Sequence, residues 1–355
     1  MSLYRGAVVS GTIIMLSLGL PAKAEDFSFA GKTIDVVVPF SAGGSTDVFA
    51  RLIASEMGER LPGKPSVNVV NMPGGGGVLG SNYVYNSGVT DGTKVLINSV
   101  MPWYQVIGDP VAQYDVAKLP IIMTFGEPEV IYISKAVGLS DATKFSEAER
   151  PFKAAALSPN NTKSVLFHLL SELLEYDTQV INGYPGGPEM RLAVQRGEAD
   201  LGMETLSGFF NGIMQNDAYE IVFQSGISEG GQYVADPRLA DQQLKTMFEV
   251  VEAKRGPEVW DTLEGRALYT VADIYDVLRT VSLAPETDEK AVVALRETFE
   301  SMLADAAFVE KAERINGYGL TFKNGEESQR IIEGLTNRLN ESPDLKAYIQ
   351  GLTQR

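Results

Sequence analysis

Three times in this chain an apolar, β-branched run stops at a glycine-rich loop, and a helical hydrophobic spacing starts on the far side. The first run, residues 33–40, halts at Ser41-Ala42-Gly43-Gly44 and passes through Ser45-Thr46-Asp47 into Val48, Phe49, Leu52, Ile53, Met57 and Leu61. The second, 67–72, meets Pro73-Gly74-Gly75-Gly76-Gly77 before a helix over 79–86. The third, 178–182, meets Gly183-Tyr184-Pro185-Gly186-Gly187-Pro188 before a short helix over 189–196, which Gly197 closes. Strand, glycine loop and helix in succession build an α/β sheet, with parallel strands joined by right-handed crossovers. Ser45 or Thr46 is the expected N-cap of the first helix, and Asp47 stands where the helix dipole favours a carboxylate.

The remaining pattern divides the chain in two. Residues 95–99 complete a first series of strands. A second series starts near Glu129, with extended runs at 130–133, 154–157, 201–203 and 221–223. Its main helix is marked by Val165, Leu166, Leu169, Leu170, Leu173 and Leu174 after a loop at 158–162. From 227 onward the pattern is chiefly helical, apart from a strand at 281–284. The expected division is one lobe from 25–128 plus 245–355 and a second from 129–244. The two crossings between them would act as hinges for closure.

Residues 1–24 read as a secretory leader. Arg5 supplies a positive start, residues 7–20 are apolar, and Pro21-Ala22-Lys23-Ala24 ends in a small-x-small pattern before Glu25-Asp26. The apolar run is shorter than the roughly 20 residues that a membrane span needs. Cleavage after Ala24 would leave 331 residues in the periplasm, a length that suits two domains. Loss of Arg5 and Lys23 takes the net charge from −16 to −18. A surface this acidic argues against nucleic acid and anionic lipid as partners.

The chemistry expected of this chain is binding. In open α/β sheets ligands sit outside the carboxyl ends of the strands, where helix N-termini offer unpaired N–H groups and a positive dipole end. Any one glycine loop is explained by tight turn geometry alone, but several on facing lobes make a cage of neutral donors for an anion. None has the spacing of a dinucleotide fingerprint or the Gly-Lys-Ser/Thr of a P-loop. With no cysteine and a single histidine, nucleophilic and zinc chemistry lack their residues, and no catalytic residue, metal or cofactor is expected. His168 falls among leucines in a helix and reads as structural. Of the aromatics near the cleft, Phe40, Trp103, Tyr104 and Tyr184, the pair Trp103 and Tyr104 follows a strand end in a loop. That position favours a cleft wall and an aromatic ligand body.

Residues 36–51, VVVPFSAGGSTDVFAR, closely resemble the substrate-binding receptors of tripartite tricarboxylate transporters, also called Bug receptors. The resemblance continues in VNVVNMPGGGGVLG at 67–80, although Met72 stands where that family usually has Arg. It is weaker in NGYPGGPEMRLAVQRGEADL at 182–201 and in Leu283-Ala284-Pro285. It implies a two-lobed type II periplasmic-binding-protein fold of α/β class, its hinged lobes enclosing a ligand cleft. It also implies a monomeric receptor that hands a small organic carboxylate to the small and large membrane subunits of an ion-driven transporter. Carried onto this sequence, the first loop grips a carboxylate through Ser41, Gly43, Gly44, Ser45, Thr46 and Asp47. With the cleft reading, the expected ligand-binding set adds Phe40, Gly76, Gly77, Ser99, Trp103, Thr162, Ser164, Tyr184, Gly186 and Gly187. A sensor that presents the ligand to a membrane signalling protein, or an enzyme on the same scaffold, are the alternative readings.

Overall fold

The β-branched run after Lys32 forms β1 (Thr33–Val38), and its last three side chains are buried. The glycine loop turns the chain into α1 (Ser45–Arg60), whose apolar stripe Phe49, Leu52, Ile53 and Met57 packs inward. The structure, a computed structural model, describes residues 27–229, 232–319 and 321–355. The expected leader at 1–24 and its cleavage site lie outside the described residues.

Beyond α1 the chain runs through β2 (Ser66–Asn71), α2 (Val78–Tyr85), β3 (Lys94–Ser99), α3 (Met101–Val106) and β4 (Ile121–Phe125). It then forms β5 (Glu129–Ser134), β6 (Phe152–Ala155), α4 (Thr162–Leu174), β7 (Thr178–Ile181), α5 (Gly187–Gln195), β8 (Leu201–Thr205), the single turn α6 (Leu206–Gly208) and β9 (Tyr219–Gln224). A small antiparallel hairpin follows, β10 (Ile227–Glu229) with β11 (Gln232–Val234). Helices α7 (Met247–Arg255) and α8 (Leu263–Asp273) lead to β12 (Arg279–Leu283). The chain finishes with α9 (Glu289–Ala304), α10 (Ala306–Asn316), β13 (Phe322–Asn324), α11 (Gly325–Asn340) and α12 (Pro343–Leu352).

Among the described residues these strands make two large sheets, ordered β13-β4-β12-β3-β1-β2 and β7-β6-β8-β5-β9. Both are mixed, where the strand–helix alternation predicts parallel pairing throughout. β1 is parallel to β2 and β3, and β6 to β7 and β8. β12 runs antiparallel between β3 and β4, and β5 antiparallel between β8 and β9. The reason is connectivity: β5 arrives directly from β4 of the other sheet, and β12 is the return from the second sheet, so neither follows a crossover that starts and ends in its own sheet.

The crossing at Gly126-Glu127-Pro128 is held by a buried polar cluster. Glu127 pairs with Arg279 at the start of β12 and accepts hydrogen bonds from the Tyr318 hydroxyl and from the Ser207 N–H (3.2 Å). Arg279 also donates to Ser207 Oγ (2.9 Å) and Thr205 Oγ1 (3.2 Å). One network therefore ties the outgoing crossing, the returning strand and the end of β8, which fixes the hinge geometry. The helices α7 and α8 pack on α4, so the return leg runs beside the second sheet before β12 rejoins the first.

Two local expectations are corrected. Trp103 and Tyr104 lie in a helix, α3, not a loop; the chain enters it through Val100 in the left-handed region (φ 56°). The N-cap of α1 is Gly44 rather than Ser45 or Thr46, and no side chain caps that helix.

Candidate binding site

The carboxyl ends of β1, β3, β6 and β8 face one another across a cavity with about 490 Å³ of empty space, open solvent included. The first sheet contributes Phe40 after β1, the start of α1 at Gly44, Ser45 and Thr46, and Ser99 and Val100 after β3. The second contributes Glu129 at the start of β5, Leu157 after β6, Asn161, Thr162 and Lys163 at the start of α4, Gly187 and Met190 of α5, and Glu204 and Thr205 at the end of β8.

Three helix N-termini meet here, and two of them carry no side-chain cap. In α1 the glycine at the cap leaves the first-turn N–H groups without a side-chain acceptor. Asp47 is positioned to compete for that role but is turned back into its own loop. It accepts from the Gly43 N–H (2.8 Å), Arg51 Nε (2.9 Å) and Asn71 Nδ2 (2.8 Å). Burial pushes the Asp47 carboxyl up, and the three donors more than offset this, holding it below its ordinary value. Thr46 is fixed by a 2.7 Å hydrogen bond between its hydroxyl and that of Ser99. In α4 the Asn161 side chain caps the Lys163 N–H (3.0 Å). In α5 the cap is Gly186, again with no side-chain acceptor.

Among the described residues, the charged ones that line the cavity all come with the second sheet. Lys163 Nζ lies 2.5 Å from Glu129 Oε2, and Arg191, outside the lining, lies 2.5 Å from Glu204 Oε1. The alternation of β5 and β8 separates the two pairs: Glu129 stands opposite Thr205 on the α4 face, while Glu204 stands opposite Val130 on the α5 face. Burial pushes the Glu129 carboxyl above its ordinary value, and Lys163 offsets only part of that.

The lobes touch directly around the rim. The Ser41 N–H donates to the Pro185 carbonyl (3.4 Å) and Ser41 Oγ to Glu189 Oε2 (2.8 Å). On another side Trp103 Nε1 donates to the Asn160 carbonyl (2.8 Å), and Asn161 Nδ2 donates to the Tyr104 hydroxyl (3.0 Å). Asn160 Nδ2 reaches Asp109 Oδ2 at 2.7 Å. These contacts describe a closed arrangement of the two sheets.

Of the residues expected from sequence, Phe40, Gly44, Ser45, Thr46, Ser99, Thr162 and Gly187 line the cavity together. Ser41 and Gly186 are rim contacts between lobes, and Gly43 and Asp47 brace the first loop. Gly76 and Gly77 stand behind the wall: the Gly76 carbonyl takes the Tyr104 hydroxyl and the Gly77 carbonyl takes Ser81 Oγ. Ser164 is turned away, donating to Asn182 Oδ1 (2.5 Å). The expected aromatic wall is not formed by Trp103, Tyr104 or Tyr184. The first two are fully buried, with hydrogen bonds that latch the lobes, and Tyr184 is half-buried against a hydrophobic cluster. Phe40 is the one aromatic among the lining residues. Sequence reasoning missed Glu129, Asn161, Lys163, Glu204 and Thr205. The one available signal was a charged residue inside an otherwise apolar strand run, as in 129–133 and 201–205.

No family model matches the chain. Protein BugT of Bordetella pertussis is 31% identical over 184 residues, covering 50% of this chain and 55% of that protein. The chain spans about half the length of the curated relatives it matches first. Among solved structures, the periplasmic binding protein BugD matches with a TM-score of 0.69 at 18% identity, over 90% of this chain and 97% of that one. MatC from Rhodopseudomonas palustris with bound malate matches with a TM-score of 0.65 at 19% identity, over 90% of this chain and 98% of that one. Two α/β sheets joined by crossing strands around a cavity thus have the fold of two-lobed periplasmic binding proteins. Within that class the chain is similar in sequence to Protein BugT over about half its length, and in fold to BugD over most of it.

Proposed function

We propose that this protein is an extracytoplasmic receptor that captures a small organic carboxylate by closure of its two lobes and delivers it to a tripartite tricarboxylate-type secondary transporter. It is not an enzyme in this reading. The observation that carries the proposal is the uncapped N-terminus of α1, with Ser45, Thr46 and Ser99, facing the start of α4 across one cavity. Oriented N–H groups and hydroxyls without a counter-charge are suited to hold a carboxylate reversibly. The malate bound by MatC supports the same ligand class. The leader at 1–24, cleaved after Ala24, would deliver the protein to the periplasm.

The lobe division 25–128 with 245–355 against 129–244 is supported at its first boundary, since β4 ends at Phe125 and β5 starts at Glu129. The packing of α7 and α8 on α4 favours a later return, just before β12.

Titration calorimetry of ligand-free mature protein against mono-, di- and tricarboxylates tests the proposal. At least one carboxylate should bind, and at 100 times its Kd it should stabilise the fold by about 2.7 kcal/mol. Thr46→Val, which removes the hydroxyl bonded to Ser99, should weaken that binding roughly tenfold or more. No binding by any carboxylate would overturn the reading. Co-purification with the transporter's membrane subunits tests delivery.

A further inference from the structure

The two halves of the cavity differ in charge. On the first-lobe side the lining residues Phe40, Gly44, Ser45, Thr46, Ser99 and Val100 carry no charge, and the α1 N-terminus supplies the positive potential. On the second-lobe side stand two carboxylates, Glu129 and Glu204, each no more than 2% exposed. Each is already matched by one cation, Lys163 and Arg191 respectively. These pairs engage Glu129 Oε2 and Glu204 Oε1; among the described residues the other oxygen of each carboxylate takes no hydrogen bond from the protein. A carboxylate has room for several donors, so each of these lining residues keeps acceptor capacity, with Glu204 Oε2 lying beside Gly208 of α6.

This asymmetry bears on the ligand. A second carboxylate placed against Glu129 and Glu204 would meet like charge, and recruiting Lys163 would strip a buried partner from Glu129, which is strongly unfavourable. An N–H donor, charged or neutral, meets the opposite situation, because each open oxygen offers it a desolvated, charge-assisted hydrogen bond. Thr205, opposite Glu129 on the same face of the sheet, adds a hydroxyl at the same wall.

We propose that the ligand is a carboxylate that also carries an N–H donor, an amino- or amido-carboxylate, bound with its carboxylate at the α1 N-terminus and its donor on Glu129 or Glu204. The inference rests on the receptor reading above and narrows its ligand class. It makes Glu129 and Glu204 specificity-determining residues rather than scaffold.

Calorimetry on the ligand-free mature protein with matched probes tests it. The probes are α- and ω-amino acids of three to six carbons, the same chains without the amine, and the dicarboxylates of equal length. At least one amino acid should bind, and its counterpart without the amine should bind roughly 10- to 100-fold more weakly, the worth of one charge-assisted hydrogen bond. In Glu129→Gln and Glu204→Gln, checked for native circular dichroism, that gap should shrink for whichever residue holds the donor. The wild-type comparison stands by itself if either variant fails to fold. Dicarboxylates binding more tightly than the amino acids would overturn this inference and leave the carboxylate reading intact. So would equal affinity with and without the amine. Binding by none of the three classes would overturn both.

Discussion

Asp47 carries the first loop. Its carboxylate accepts from Gly43, Arg51 and Asn71, so the loop that exposes the α1 N-terminus is braced from behind. Two of these donors, Gly43 and Arg51, are exposed and regain water when the acceptor is lost, so the loss costs on the order of 1 kcal/mol. Asp47→Ala should lose about that much in urea denaturation, and carboxylate affinity with it. The pH dependence follows from the direction of the shift. Because the folded-state value is depressed, the contribution is present above the ordinary value of 3.8 and is lost as pH falls through the lower folded value. Asp47→Asn should therefore flatten the acid limb of the stability curve, and an unchanged limb would show that other carboxylates control it. The same residue marks how far residue-level reading reaches. The sequence pattern places Asp47 in the first turn of α1 correctly, but a first-turn position does not say whether its carboxylate faces the cavity or its own loop. The three donors that decide this come from residues 43, 51 and 71, and only the folded chain brings them together.

Among the elements, α4 joins the site to the core. It is enclosed on nearly every side: residues 162–170 are buried without a break, as are Leu173 and Leu174. The second sheet covers one face and α7, α8 and α12 cover others. Its N-terminus presents Thr162 and Lys163 to the cavity, so core packing of the helix sets the position of those groups. Leu169→Ala should cost about 2–5 kcal/mol by creating a cavity, measured by denaturant unfolding. Its leucine spacing was legible in sequence, as were α1, α2 and α5. The direction of the antiparallel strands was not. Short strands such as residues 121–125 and 279–283 look the same in either direction, and pairing direction depends on which sheet the chain has just left.

At the scale of the whole molecule the functional variable is closure. Gly186 has φ near −175°, extended backbone that any residue adopts, and within its own lobe an added Cβ meets only the flexible Glu189 carboxylate, 3.3 Å away. In the closed arrangement an added Cβ would collide with Ser41 Oγ and lie 3.3 Å from the Ser41 nitrogen, both in the other lobe. Gly186→Ala should keep its thermal stability without ligand, bind more weakly, and show a larger radius of gyration by small-angle scattering with saturating ligand. A radius equal to that of wild type would mean the rim does not limit closure. The hinge cluster of Glu127, Arg279, Tyr318 and Ser207 lies where both crossings meet, and no local pattern marks it, because its members are spread over almost 200 residues of chain.

Local sequence determined the recurrence of strand, glycine loop and helix, the placement of the glycine loops at strand ends, and through them the α/β class and a cleft of helix N-termini. Those features depend on backbone conformation within a few residues, and side-chain type controls that directly. Tertiary structure alone decided which residues of each loop face the cavity, that Trp103 and Tyr104 latch the lobes rather than wall the ligand, and that Glu129 and Glu204 reach its lining. A carboxylate's burial and its pairing with Lys163 or Arg191 arise from strand register and from helices packed on opposite faces of one sheet. Charges so placed are paired across long stretches of chain, beyond the range of any local pattern.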